Sequence, residues 1–115
     1  MSFTFEKFER IRTKKDFDTV FQKGFFFKKS FCFTVVYMLN NLDYSRIGII
    51  VKKKHGCSVK RNYERRVLKE LFRTNKPKLK NNYDLIFIIK NLSSYNQKKY
   101  DFEFVINKIQ DTSNY

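Results

Sequence analysis

The chain has no tryptophan, one proline, three glycines, two cysteines and a single histidine in 115 residues, and each scarcity removes a class of protein. Two cysteines cannot build the disulfide framework of a small secreted domain. Cys32 and Cys57 are therefore expected as reduced thiols, one an apolar filler and the other a loop residue. Gly24, Gly48 and Gly56 stand too far apart for a phosphate-cradling loop. His55, expected as an exposed loop residue, offers with Cys57 at most two soft ligands, short of a zinc site. The eleven acidic residues are scattered, with no close carboxylate pair for acid–base work. A protein-only active site is not expected. No apolar run approaches the ~18 residues of a membrane helix, and Met1-Ser-Phe-Thr-Phe-Glu6 lacks a basic stretch followed by an apolar one. The expectation is a cytoplasmic chain with no membrane partner. With no repeat and no Gly/Ser linker, the length suits one domain over 1–115, its core about 10–110.

What the chain has in abundance is positive charge and phenylalanine. Twenty-five Lys and Arg against eleven Asp and Glu give a formal +14, a self-repulsion that calls for a polyanionic partner. Fourteen Phe, seven Tyr and a hydrophobic fraction of 42% mark a folded, aromatic-rich core rather than a basic tail. The charge is concentrated in Lys52 to Arg73, where nine basic and two acidic residues leave +7. It is also ordered. Ser58 is expected to cap a helix, with Val59, Tyr63, Val67 and Leu71 recurring along its apolar side. Arg61, Arg65, Lys69 and Arg73 climb the other side, joined by Asn62 and Arg66, while Glu64 and Glu70 fall off that arc. Arg46 lies just upstream. Guanidinium forks fit phosphate oxygens better than ammonium groups do, so this strip reads as a helix that lies on phosphates.

The rest of the chain supplies a frame for that helix. Thr13-Lys-Lys-Asp16 resembles a capping box, opening a short helix with Phe17, Val20 and Phe21 on one face and Gly24 at its end. Strands are expected at 25–28, at 31–38 with both faces apolar, at 47–51 and at 83–89, with a turn at 40–43. Pro77 helps stop the basic helix. A last helix places Phe102, Val105, Ile106 and Ile109 at i, i+3, i+4 and i+7. The order α-β-β-β-α-β-α reads as an α/β (α+β) two-layer sandwich.

The ordered set Lys53-Lys54-x-Gly56-x-x-Val59-x-Arg61-Asn62-x-x-Arg65-Arg66 resembles the signature of the bacterial ribonuclease P protein subunit. Arg46-x-Gly48-x-x-Val51, Asp16-Phe17-x-x-Val20-Phe21-x-x-Gly24 and Tyr83-Asp84 match as well, so the likeness runs from about residue 10 to residue 110. The resemblance implies a left-handed β-α-β crossover, against the usual right-handed rule. It implies two partners, a catalytic RNA and precursor tRNA, and no protein partner is expected. In that family the RNA performs the 5′ cleavage and holds the Mg2+ ions, so no catalytic residue and no metal site is expected in the protein. Contacts to the RNA are expected from Lys53, Lys54, Arg61, Asn62, Arg65, Arg66 and Lys69, with Arg46 and Arg73 added by the arginine argument. A cleft for the single-stranded 5′ leader is expected to include Phe17, Phe21, Phe33 and Val35, although the helical spacing of Phe17 and Phe21 fits a core role equally. The chain departs from the family at Tyr63, where arginine is usual, and that ring either packs or stacks on a base. A rival from another class is a structural RNA binder, such as a ribosomal protein or assembly factor.

Overall fold

The computed structural model describes residues 9–112, in the order α1 (Lys14–Lys23), β1 (Phe25–Phe27), β2 (Phe33–Leu39), β3 (Arg46–Ile50), α2 (Ser58–Asn75), β4 (Tyr83–Ile89) and α3 (Tyr95–Thr112). Residues 1–6, read above for a leader, and the outermost positions of the 1–115 domain lie outside the described residues. Helix α1 starts where expected, with the Asp16 amide donating to Thr13 Oγ1 at 3.1 Å. It ends at Gly24, whose amide donates to the Val20 carbonyl at 2.7 Å. Helix α2 starts one residue before the expected cap: Cys57 holds the cap position and Ser58 is already helical. Gly56 makes the turn into it with φ +127, the only positive φ among the described residues.

The four strands pair in the order β1-β2-β4-β3, antiparallel except for β3 beside β4. The parallel β3–β4 pair needs a crossover, and α2 supplies it. Strands β2 and β4 lie in the middle, and β4 is apolar on both faces. One face carries Phe33, Val35, Leu85 and Phe87 against Val67, Leu68, Leu71 and Phe72 of α2 and Phe102, Val105, Ile106 and Ile109 of α3. Phe87 stacks on Phe102 with 4.6 Å between ring centroids, and Phe33 meets Phe87 edge-on at 5.5 Å. Each such ring, fully buried, contributes about 1.5–3 kcal/mol. On the opposite face α1 lays Val20 against Val36 and Ile86, while Phe17, Phe21, Met38, Ile50 and Ile88 stay partly open. Helices α2 and α3 thus form the second layer of the sandwich, and α1 covers part of the sheet's other side.

The edges differ. Beyond β3, the Ile11 amide donates to the Ile47 carbonyl at 2.9 Å, so the segment before α1 covers that edge. The other edge, β1, carries Phe25 and Phe26 at 68% and 51% exposure.

A buried carboxylate ties α3 to the start of β2. Asp101 Oδ2 accepts from the Cys32 amide at 2.9 Å and Ser30 Oγ at 3.0 Å, and Oδ1 accepts from Gln97 at 2.7 Å. Burial opposes ionisation of Asp101, but those hydrogen bonds outweigh it and hold its carboxyl below the ordinary range. Such a group stabilises the fold above the unfolded-state pKa, near 3.9 for an Asp, and loses that contribution as pH falls through its lower folded value. Asp101→Asn is expected to lower unfolding free energy at pH 7 by about 1–3 kcal/mol. In chemical denaturation at a series of pH values, the gap to the native chain should close as pH drops below about 4.

Candidate RNA interface

Helix α2 displays its cations because only its second half reaches the core. Its buried residues are Glu64, Val67, Leu68, Leu71, Phe72 and Asn75. Val59 and Tyr63, expected on the apolar side, instead lie 76% and 42% exposed. Glu64 takes the inward position and is neutralised there by Lys98 of α3, whose Nζ stands 3.2 Å from Oε1 as an ion pair rather than an aligned hydrogen bond. Lys98 Nζ also donates to the Ser93 carbonyl. The acid nearest the middle of the basic strip is therefore turned away from solvent and cancelled.

The expected strip is largely assembled. Lys53 and Lys54 sit exposed on the turn leading into α2, with Asn62 and Arg66 exposed and Arg61, Arg65 and Lys69 half-buried along the helix. Asn62 Oδ1 accepts from Arg65 Nη1 at 3.1 Å, which orients the amide and the fork together. Asn62, Arg65, Arg66 and Lys69 line one shallow basin with Glu70 at its end. Burial, then repulsion from Arg10 and Arg65, pushes the Lys69 ammonium below its ordinary range. An anion bound among these three cations relieves that repulsion.

Four expectations need correction. Arg46 does not join the strip: Nε and Nη2 donate to the Asp84 carboxylate at 2.9 and 2.6 Å, and Nη1 to Asp16 at 3.3 Å. It faces the α1 side of the sheet at 19% side-chain exposure, its fork spent on joining α1 to β4. Arg73 is paired within the helix, with Nε 3.0 Å from Glu70 Oε2, so Glu70 does neutralise an arginine of the arc. Phe33 and Val35 are wholly buried among α2 and α3 residues, on the face away from α1. They do not line a cleft beside α1. His55, finally, is half-buried rather than exposed, its Nε2 3.1 Å from the Ile89 carbonyl.

The α1 side of the sheet instead presents a partly open apolar surface, built from the opposite parity of the same strands. Phe17 and Phe21 face the sheet beside Val36, Ile50 and Ile88. Gly48 allows the close approach, since a Cβ there would stand 2.8 Å from the Phe17 ring. Phe26, paired in register with Val36, brings its ring centroid 6.4 Å from that of Phe21 and widens the aromatic surface. Alternation along β2 would have found Val36 once one of its faces was assigned to α1. At the edge of β3, a small concavity brings Phe17, Ile11 and Gly48 together with Arg10, Arg65 and Lys69. Phe17 of the α1 side and the cations of α2, which lie on opposite faces of the sheet, meet there.

The model of the family described as Ribonuclease P matches residues 5–110. The chain belongs to the ribonuclease P protein family. It is 40% identical over 106 residues to the ribonuclease P protein component of Petrotoga mobilis, covering 92% of this chain and 89% of that protein. The solved RNase P protein of Thermotoga maritima superposes with a TM-score of 0.78 at 28% identity, over 87% of this chain and 96% of its own. That of Staphylococcus aureus gives 0.78 at 29% identity, over 89% and 94%. Membership makes this chain part of an endoribonuclease complex, and it disfavours the rival of a structural RNA binder with no processing role. Among the described residues no helix is long and apolar enough to cross a membrane, and no group of three or more His, Cys, Asp and Glu is placed to hold a metal.

Removing Arg46 leaves Asp84 buried without its strongest partner, so Arg46→Ala is expected to cost about 2–4 kcal/mol of stability. Thermal denaturation should show the loss, while the salt dependence of RNA affinity stays unchanged. A reduced salt slope would instead place Arg46 on phosphate.

Proposed function

We propose that this chain binds the catalytic RNA of ribonuclease P and the 5′ leader of precursor tRNA, and thereby promotes 5′ maturation by the RNA. The observation that carries the reading is the meeting of two surfaces at the edge of β3. A single strand lying in the Phe17–Phe21 cleft passes directly from aromatic side chains to Arg10, Arg65 and Lys69. Aromatic faces stack on bases with little regard to sequence, which suits a leader of variable sequence. Guanidinium and ammonium groups then take its phosphates and those of the catalytic RNA.

In this division of labour the protein holds, orients and neutralises, and the RNA performs the hydrolysis. Magnesium, held mainly by the RNA, supplies the charge at the cleaved bond, and no step passes through a side chain of this protein. The cations of α2 supply part of the phosphate neutralisation that RNA alone needs more magnesium to achieve. That is the physical reason for a dependence on the protein at physiological magnesium. The site of action in this reading is the cytoplasm.

The test is reconstitution with ribonuclease P RNA from the same source and a precursor tRNA at low magnesium. Cleavage at the 5′ end should rise with added protein, and cleavage that ignores the protein would sink the proposal. Arg65→Ala is expected to weaken binding to the catalytic RNA and to lower the slope of log K against log salt by about one phosphate's worth.

The cleft has its own test. Phe17→Ala should weaken binding of precursor tRNA by about fivefold or more, the low end for one stacked base, and leave mature tRNA nearly unaffected. Equal losses for both, together with a lower melting temperature, would make Phe17 a core residue.

A further inference from the structure

The exposed first half of α2 leaves a feature that the basin of Asn62, Arg65, Arg66 and Lys69 does not use. On the other side of the Asn62–Arg66 ridge lies an open groove of about 570 Å³, lined by Val59, Lys60, Asn62, Tyr63, Glu64, Arg66 and Leu92. Its floor is apolar: Val59, Tyr63 and Leu92 are all exposed large hydrophobic side chains. Its rim is cationic and amide, and its one acid, Glu64, is buried and paired with Lys98.

Two cations flank the Tyr63 ring. Lys98 Nζ, buried, stands 5.9 Å from the ring centroid, and the exposed Arg66 guanidinium stands 5.6 Å from it. No carboxylate pairs with Arg66 among the described residues. Its fork lies beside the ring and is open to an anion.

We propose that this groove is a base-binding site, taking one unstacked base of the catalytic RNA on Tyr63, Val59 and Leu92 while Lys60 and Arg66 engage the adjoining phosphates. An apolar floor with a cationic rim complements a nucleotide, whose flat face is apolar and whose backbone is anionic. The groove shares Asn62 and Arg66 with the phosphate-facing basin, so an RNA strand crossing that ridge reaches both sides of it. Arginine at position 63 would read phosphate; tyrosine reads a base. The inference rests on the ribonuclease P reading above and assigns a second element of the same interface.

The experiment measures affinity for the ribonuclease P RNA across a salt series, together with chemical probing of unpaired bases, for the native chain, Tyr63→Ala, Tyr63→Phe and Val59→Ser. Tyr63→Ala should lower affinity by about fivefold or more without changing the salt slope, and should unmask a base that the native chain protects. Tyr63→Phe should retain affinity and protection. Val59→Ser, at an exposed position that leaves the fold undisturbed, should lower affinity in the same direction at an unchanged melting temperature. Equal affinity and identical protection for the native chain and Tyr63→Ala overturn the groove while leaving the subunit reading intact. So does a loss confined to Tyr63→Ala and accompanied by a lower melting temperature. A native chain that binds this RNA no better than a scrambled control overturns both.

Discussion

Strand β4 is the constraint on which the rest of the molecule depends. It is paired on both sides, antiparallel to β2 and parallel to β3, and all of its residues but Ile88 are buried. Tyr83, Leu85, Phe87 and Ile89 serve the α2 and α3 side, while Ile86 and Ile88 serve the α1 side. Asp84 points to the α1 side as well and holds Arg46. A strand with this much fixed on both faces has no freedom to slip, because moving by one residue would exchange the two faces. The basic helix and the aromatic α1 side are therefore both referenced to one rigid element.

The placement of charge follows from packing. Helix α2 spends only its second half on the core, so its first half projects cations without carrying core residues along. The one acid that helical geometry would aim inward there is matched by a buried lysine from α3, an arrangement costly to break from either side. Where the strip turns the edge of β3, Arg10, Arg65 and Lys69 crowd together beside Phe17. Such crowding of like charge is unfavourable in the free chain and is relieved by a bound polyanion.

Much of this was legible in the amino-acid sequence, and the failures have identifiable causes. The order of elements along the chain, the capped start of α1 and the basic arc were readable because periodicity and charge are local properties. The residues of β2 that face α1 were not. Phe33 and Val35 share one face and Val36 the other, and a strand apolar on both faces gives no sign of which face meets which helix. Arg46 looked like part of the strip because its partners, Asp16 and Asp84, are 30 and 38 residues away and invisible to any local pattern. Helical arithmetic put Tyr63 toward the apolar side and left open whether its ring packs or stacks on a base, because the packing of α2 on its neighbours is not a local property; the ring lies exposed.

The β1 edge has a consequence for handling the free chain. Phe25 and Phe26 lie exposed on a strand that, among the described residues, is the edge of the sheet, and Phe31 is exposed just beyond it, which makes a sticky template for a second copy. What keeps copies apart in dilute buffer is the long-range repulsion of fourteen net positive charges. High salt, the condition that strips RNA from a basic protein, shortens the range of that repulsion to about 3 Å at 1 M. Colloidal stability of the isolated chain is therefore lowest under the conditions that free it from nucleic acid.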